Sequence, residues 1–159
     1  MLQKVGFGFD IHRLVDGRKM FLGGVEIPYI KGFLGHSDGD VLLHAITDAL
    51  LGAAGLGDIG EHFPDTDPKY AGVDSKILLK NVVELISRDF TINNIDSVII
   101  AQEPVLTPFK KAIRNSVAQI LGLDISSVGV KAKTNEGLGE IGQKEAIAVY
   151  AVALLSRKE

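Results

Sequence analysis

An α/β fold of the α+β type, formed as one domain over residues 1–159, is what three features of the sequence predict. Short stretches of strand period are interspersed with stretches of helical spacing. The chain is 46% hydrophobic, enough for a substantial core at this length, and nothing in its composition suggests a second domain. Its 18 glycines suit the turns that such a fold needs.

At the N-terminus, Val5, Phe7, Phe9 and Ile11 alternate with Gly6, Gly8, Asp10 and His12, the period of a strand with one apolar face. Asp10 and His12 therefore project to the same side. Gly17 begins a turn, and KMFLGGVEIPYI reads as a hairpin through Gly23 and Gly24, with Pro28 near an edge.

The stretch HSDGDVLLHAITDALLGAAGLGDIG, from His36 to Gly60, is the one around which the rest is organised. Ser37 and Asp38 are suited to cap a helix and Asp40 to sit in its first turn, with the helix running from Val41 to Ala54. His44 lies one turn from Asp40 and Asp48, giving a narrow polar stripe on an otherwise apolar helix. Asp58 follows in a glycine-flanked loop. HFPDTDPKYAGVDS then continues as a long irregular segment bearing Asp65 and Asp67, and loops of that length in small domains commonly carry function.

Asp74 or Ser75 caps a second helix, with Ile77, Leu78, Val82, Leu85 and Ile86 at helical spacing. Ile95 to Ala101 is β-branched and reads as a buried strand that ends in the loop AQEPVLTP. Thr107 is expected to cap and Pro108 to open a third helix, closed by Gly122. A strand from Val128 to Asn135 leads to Glu136, and Ala146 to Leu155 forms a last buried strand. The glycine-rich turn between them, EGLGEIG, is not a phosphate-binding P-loop, because no Gly-Lys-Ser/Thr follows.

With no cysteine in the chain, a metal must be held by histidines and carboxylates. Two ligands two residues apart on a strand, joined by a histidine from a neighbouring helix, would make an Asp10-His12-His44 site with an open fourth position, the arrangement of a catalytic zinc. Plainer explanations exist for each group: a solvated strand end for Asp10 and His12, a hydrogen-bonded core histidine for His44, a solvated loop carboxylate for Glu136. A net charge of -3 with scattered Lys and Arg excludes a basic field for nucleic acid. No apolar run approaches the roughly 20 residues of a membrane span, and the N-terminus has neither signal nor transit composition, so the expected location is cytoplasmic.

The segments GFDIHRL, GGVEIPY, HSDGDVLLHAITDALLGAAGLGDIG, HFPDTDP, IIAQEP and KAKTNEGLG, in this order and over nearly the whole chain, resemble the 2-C-methyl-D-erythritol 2,4-cyclodiphosphate synthase family of non-mevalonate isoprenoid biosynthesis. The resemblance implies a homotrimer with active sites between adjacent subunits, each subunit a mixed sheet with helices packed on one face. It implies zinc on Asp10, His12 and His44, and a second ion, Mg or Mn, on Glu136 with the substrate's phosphates. Thr134 and His36 match positions that steady the transition state. Ser37, Asp58, Ile59, Gly60, Phe63, Pro64, Asp65, Thr66 and Asp67 match the pocket for the phosphorylated erythritol, and His36 also counts among the substrate contacts. Ala101, Gln102, Glu103, Pro104, Val105, Leu106, Thr107 and Lys133 match cytidine and phosphate contacts, and Asp10, Ile11, His12, Thr134, Asn135 and Glu136 fall among the further substrate contacts. Where many members read Gly-Phe-x-Gly-Arg, this chain has Gly139, Glu140, Ile141, Gly142 and Gln143, so an aromatic and a cation are missing.

The implied reaction is that of a phosphorus-oxygen lyase. In 4-diphosphocytidyl-2-C-methyl-D-erythritol 2-phosphate, the 2-phosphate attacks the β-phosphorus and expels CMP. Two other functions are compatible with the same ligand set: a zinc-dependent phosphohydrolase, and a trimeric nucleotide- and metal-binding module without turnover.

Overall fold

The computed structural model describes residues 1–159. A long first strand, β1 (Gln3–Asp16), lies next to β7 (Ala146–Arg157), and the sheet continues through β5 (Phe90–Ile100) to β6 (Val128–Lys133). A short β4 (Lys31–Phe33) closes the other edge, giving the order β4-β1-β7-β5-β6. All neighbours are antiparallel except β5 and β6, so the sheet is mixed. The hairpin expected at Gly23 and Gly24 is present as β2 (Met20–Leu22) and β3 (Val25–Ile27), a separate two-stranded ribbon.

Helix α1 (Val41–Ala54) packs across β1 and β7, flanked by α3 (Ser75–Ile86), and α4 (Lys110–Leu121) packs beside α3 and over β6. Ten of the fourteen residues of α1 are buried, which explains a helix of Leu, Ala, Val and Ile with so few polar positions. Gly55 and Gly122, both left-handed at φ 74 and 66, terminate α1 and α4 and satisfy their last carbonyls. No helix is long and apolar enough to cross a membrane.

Several local expectations are corrected. Asp40, not Ser37 or Asp38, is the N-cap of α1: its side chain accepts the Leu43 amide, and Ser37 and Asp38 lie in the preceding turn. Thr107 makes no capping bond; Thr107–Phe109 is a 3-10 turn that leads into α4. On α3, Leu79 is buried where Ile77 and Leu85 are exposed, a rotation of the apolar stripe by part of a turn. The segment after α1 contains the one-turn helix α2 (Ile59–His62) and a 3-10 turn at Pro68–Tyr70, while EGLGEIG contains a further one-turn helix, α5 (Gly139–Gly142). The fifth strand starts earlier than expected, at Phe90, and β6 stops at Lys133, leaving Thr134 and Asn135 in the following loop.

The most informative difference concerns β1. Its apolar residues do not face the core: Val5, Phe7, Phe9 and Ile11 are exposed, the first two by 69% and 62%. Its glycine side is buried against α1 instead. A Cβ on Gly8 would lie 1.9 Å from the Ala45 carbonyl oxygen, and one on Gly6 would lie 1.8 Å from that of Ala49. Only glycine lets the helix come that close to the strand.

Candidate active site and metal centre

The close approach of α1 to β1 assembles the site. Asp10 and His12 share the side of β1 occupied by Gly6 and Gly8, and His44 precedes Ala45, whose carbonyl rests over Gly8. Three potential ligand atoms converge: Asp10 Oδ2 lies 2.9 Å from His12 Nε2 and 3.1 Å from His44 Nδ1, and the two ring nitrogens are 3.1 Å apart. Ligands about 2.0 Å from a tetrahedral zinc stand roughly 3.3 Å from one another, so the triangle has the size of three corners of such a site with the fourth left open. The Asp-His-His group expected from sequence is therefore in place, half-buried at Asp10 and His12 and deeper at His44.

The electrostatics match this geometry. Burial pushes the Asp10 carboxyl up, but hydrogen bonds and charge from His12 and His44 outweigh it and bring its pKa down to about 2. Burial likewise opposes charging the His44 ring, and the bond to Asp10 with the charges of Asp10, Asp40 and Asp38 reverses the balance and raises its pKa. The far side of the His44 ring faces hydroxyls, with Nε2 at 2.8 Å from Ser75 Oγ and 3.2 Å from Ser37 Oγ.

The triangle opens into a cavity of about 340 Å³. Its walls include His36, Ser37, Ile59, Gly60, Phe63 and Asp65 from the sequence expectation, together with Gly35, Tyr70, Val73 and Leu78, which sequence reasoning missed. Other expected residues shape the wall without lining it. Asp58 caps α2 through the Glu61 amide, and Asp67 caps the next turn through the Lys69 amide. Pro64 and Thr66 flank Asp65 and do not line the cavity. Ile11 points to the open face of the sheet; near the centre it contributes its amide, which donates to Asp10 Oδ1 at 3.0 Å.

Two anchors of this wall were also missed. Arg18 donates at 3.0 Å to the carbonyls of Gly35 and of Ser37, holding the loop that carries His36. Asp48, one turn after His44, accepts the Ile59 amide at 2.7 Å and ties α2 to α1. Neither residue stands in a spacing that signals its partner, since both partners are backbone groups far along the chain.

The remaining expected residues gather elsewhere. Ala101, Gln102, Pro104, Val105, Leu106, Thr107, Lys133 and Thr134 line a second recess of about 110 Å³. Beside it, the Gln102 side chain accepts the Gly137 amide at 3.0 Å, and Thr134 Oγ1 accepts that of Glu136, whose φ of 53 is left-handed. Asn135 donates to the Leu138 carbonyl at 2.7 Å, while Glu103 is paired with Lys144 at 2.8 Å. Strands β7 and β5 separate β1 from β6, a span of three strand spacings or roughly 14 Å. Within one chain the two groups do not form a common cavity.

Fold and site together define a one-domain α+β protein with an Asp-His-His group able to hold a metal at the mouth of a ligand-sized cavity. Residues 3–156 match the YgbB family, and the chain belongs to it. Among its relatives is the 2-C-methyl-D-erythritol 2,4-cyclodiphosphate synthase of Dechloromonas aromatica, 57% identical over 155 residues that cover 97% of each chain. Of solved structures, the bifunctional IspDF of Campylobacter jejuni superposes with a TM-score of 0.95 at 45% identity; the match covers 99% of this chain and 43% of that larger one. A CDP-bound 2C-methyl-D-erythritol-2,4-cyclodiphosphate synthase superposes with a TM-score of 0.89 at 40% identity, over 96% of this chain and 100% of the other.

Proposed function

We infer that the chain is a metal-dependent phosphorus-oxygen lyase of non-mevalonate isoprenoid biosynthesis, converting 4-diphosphocytidyl-2-C-methyl-D-erythritol 2-phosphate to 2-C-methyl-D-erythritol 2,4-cyclodiphosphate and CMP. The observation that carries this is the ligand triangle of Asp10, His12 and His44 opening into the cavity walled by His36, Ser37, Phe63 and Asp65, in a chain of this family. The nucleophile is the substrate's own 2-phosphate, already ionised and already attached. Little proton transfer is required, so the protein's work is to align two phosphorus centres and to offset their charge.

Asp10, His12 and His44 would hold zinc, and Glu136 would hold Mg or Mn together with the phosphates. Ions so held supply Lewis-acid neutralisation of phosphate oxygens. Ser37, Ile59, Gly60, Phe63 and Asp65 enclose the erythritol portion. The recess formed by residues 101–107 and Lys133 takes the cytidine diphosphate portion, the part retained in the CDP-bound relative. His36 and Thr134 approach the reacting phosphates from the two sides.

These halves lie at opposite strands of one sheet, so a complete site calls for a further subunit; in the homotrimer proposed here the β6 side of one subunit would meet the β1 side of the next. The exposed Val5, Phe7, Phe9, Ile11, Tyr150 and Val152 supply apolar surface for such an assembly. Phosphorus NMR of the purified protein with the substrate should show one CMP and one cyclic diphosphate per turnover. In oxygen-18 water neither product should gain label at phosphorus; label gained during turnover would identify water as the nucleophile and the protein as a phosphohydrolase.

A further inference from the structure

We propose that Ser75, backed by Asp38, is a positioning residue that fixes the tautomer of His44, so that the ring presents a lone pair on Nδ1 to the metal centre. The inference takes Asp10, His12 and His44 as that centre. A carboxylate oxygen accepts hydrogen bonds and cannot donate them, whereas a serine hydroxyl has one proton to give. The Ser75 hydroxyl is bonded to Asp38 Oδ1, so its proton is committed there. Towards His44 it can only accept, and the 2.8 Å contact with Nε2 therefore requires the ring proton on Nε2. A neutral ring with Nε2–H leaves Nδ1 bare, and Nδ1 is the atom that faces Asp10 Oδ2 and His12 Nε2.

Without this relay the opposite tautomer would be favoured. Asp10 stands 3.1 Å from Nδ1 and by itself would draw a proton onto that nitrogen, the one position that blocks a metal. The relay is held firmly enough to oppose it. Asp38 accepts the amides of Asp40 at 3.1 Å and of Ser75 at 3.0 Å, and so bridges the starts of α1 and α3. Ser75 is 1% exposed, so water does not substitute for its hydroxyl. Ser37 Oγ, at 3.2 Å from Nε2 and receiving the Gly39 amide, is the weaker neighbour of the ring.

The test has two arms. In the metal-free full-length protein, long-range proton–nitrogen NMR of the His44 ring, followed to a pH at which the ring is neutral, should show Nε2–H; a ring protonated at Nδ1 would overturn the proposal without reference to any variant. In Ser75→Ala, the zinc dissociation constant measured by chelator competition should rise about 10- to 100-fold, the usual cost of losing the group that orients a ligating histidine. A folded Ser75→Ala protein that binds zinc as the unaltered protein does would refute the relay. Failure of the unaltered protein to bind zinc would instead reject the metal centre, leaving the NMR arm to decide the tautomer.

Discussion

Replacing Gly8 by alanine tests the link between fold and site directly. The added Cβ would sit 1.9 Å from the Ala45 carbonyl oxygen and 2.8 Å from the Ala49 amide nitrogen, both backbone atoms with no rotamer to change. An ordinary contact starts at 3.4 Å, so strand and helix must part by roughly 1.5 Å. Displacement of that size strips dispersion contacts along α1 and costs about 1–3 kcal/mol or more, by analogy with overpacked cores. For a chain of this length, each kcal/mol lowers Tm by roughly 2–4 °C, so calorimetry should register a drop of roughly 2–12 °C. The same movement carries His44 away from Asp10 and His12, whose spacings of 2.9 to 3.1 Å leave no slack, and zinc affinity should fall with stability. Gly52→Ala is the control: its nearest external atom would be the Phe7 carbonyl oxygen at 4.0 Å, and the substitution should stabilise by up to about 1 kcal/mol through helix propensity. If Gly8→Ala matched the unaltered protein in Tm and zinc affinity, the close-approach account of the site would be wrong.

His44→Ala removes one of three ligand atoms and should reduce zinc content by elemental analysis and activity together, with assembly by light scattering unchanged; full zinc content would remove His44 from the ligand set. Glu136→Gln should strongly reduce turnover while leaving zinc content intact, separating the two proposed ion sites; unchanged turnover would take Glu136 out of the reaction. Asp40 gives a pH-dependent prediction: complete burial raises its pKa from 3.8 to about 6, against the lowering effect of the Gly24, Leu43 and Gly23 amides, so the folded state binds the proton more tightly than the unfolded one. Its contribution is present in full below pH 3.8 and lost as pH rises through about 6, a decline of about 3 kcal/mol. Urea unfolding of the unaltered protein minus that of Asp40→Asn should trace this decline between pH 4 and 7, and a flat difference would contradict it.

Sequence periodicity disclosed what depends on local spacing. The strand that places Asp10 and His12 on one side, the helix from Val41 to Ala54, and its glycine stop all follow from patterns within a dozen residues. What escaped depends on contacts across the chain. Asp38 and Ser75 both read as helix caps, but Asp40 and Asp74 cap α1 and α3 instead; that Asp38 and Ser75 meet each other and His44 is set by how the two helices pack, which no spacing encodes. Arg18 was invisible for the same reason, since its partners are carbonyls contributed by Gly35 and Ser37. Asp40 was misplaced because a cap and a first-turn acid differ by a single residue, and burial under the Gly23–Gly24 turn, whose amides it accepts at 3.0 and 2.7 Å, decides between them.

The inverted polarity of β1 connects the proposed metal site to the proposed assembly. For His44 to reach His12, α1 must lie almost on the strand backbone, so the inner face of β1 carries glycine at positions 6 and 8. The apolar side chains of the same strand then have only the outer face, where Phe7 and Phe9 group with Tyr150 at centroid distances of 5.9 and 4.9 Å and remain open to solvent. That surface needs a cover. Register supplies the geometry: His12 pairs with Ile147, Ile100 with Ala148, and Ile100 with Lys133, so the Asp-His-His group and the Lys133 recess stand within one residue of the same height along the sheet. In the proposed assembly, a neighbour that brings its β6 side to this β1 side would meet the three ligand residues at about that height. Such a contact joins two different surfaces, and it leaves no site unfinished only if the ring closes. A closed trimer hence predicts that Lys133→Ala and His44→Ala subunits, each inactive alone, recover part of the activity when co-assembled, because some interfaces then receive both intact halves. A strictly additive absence of activity in the mixed assembly would show that each site is built from one chain.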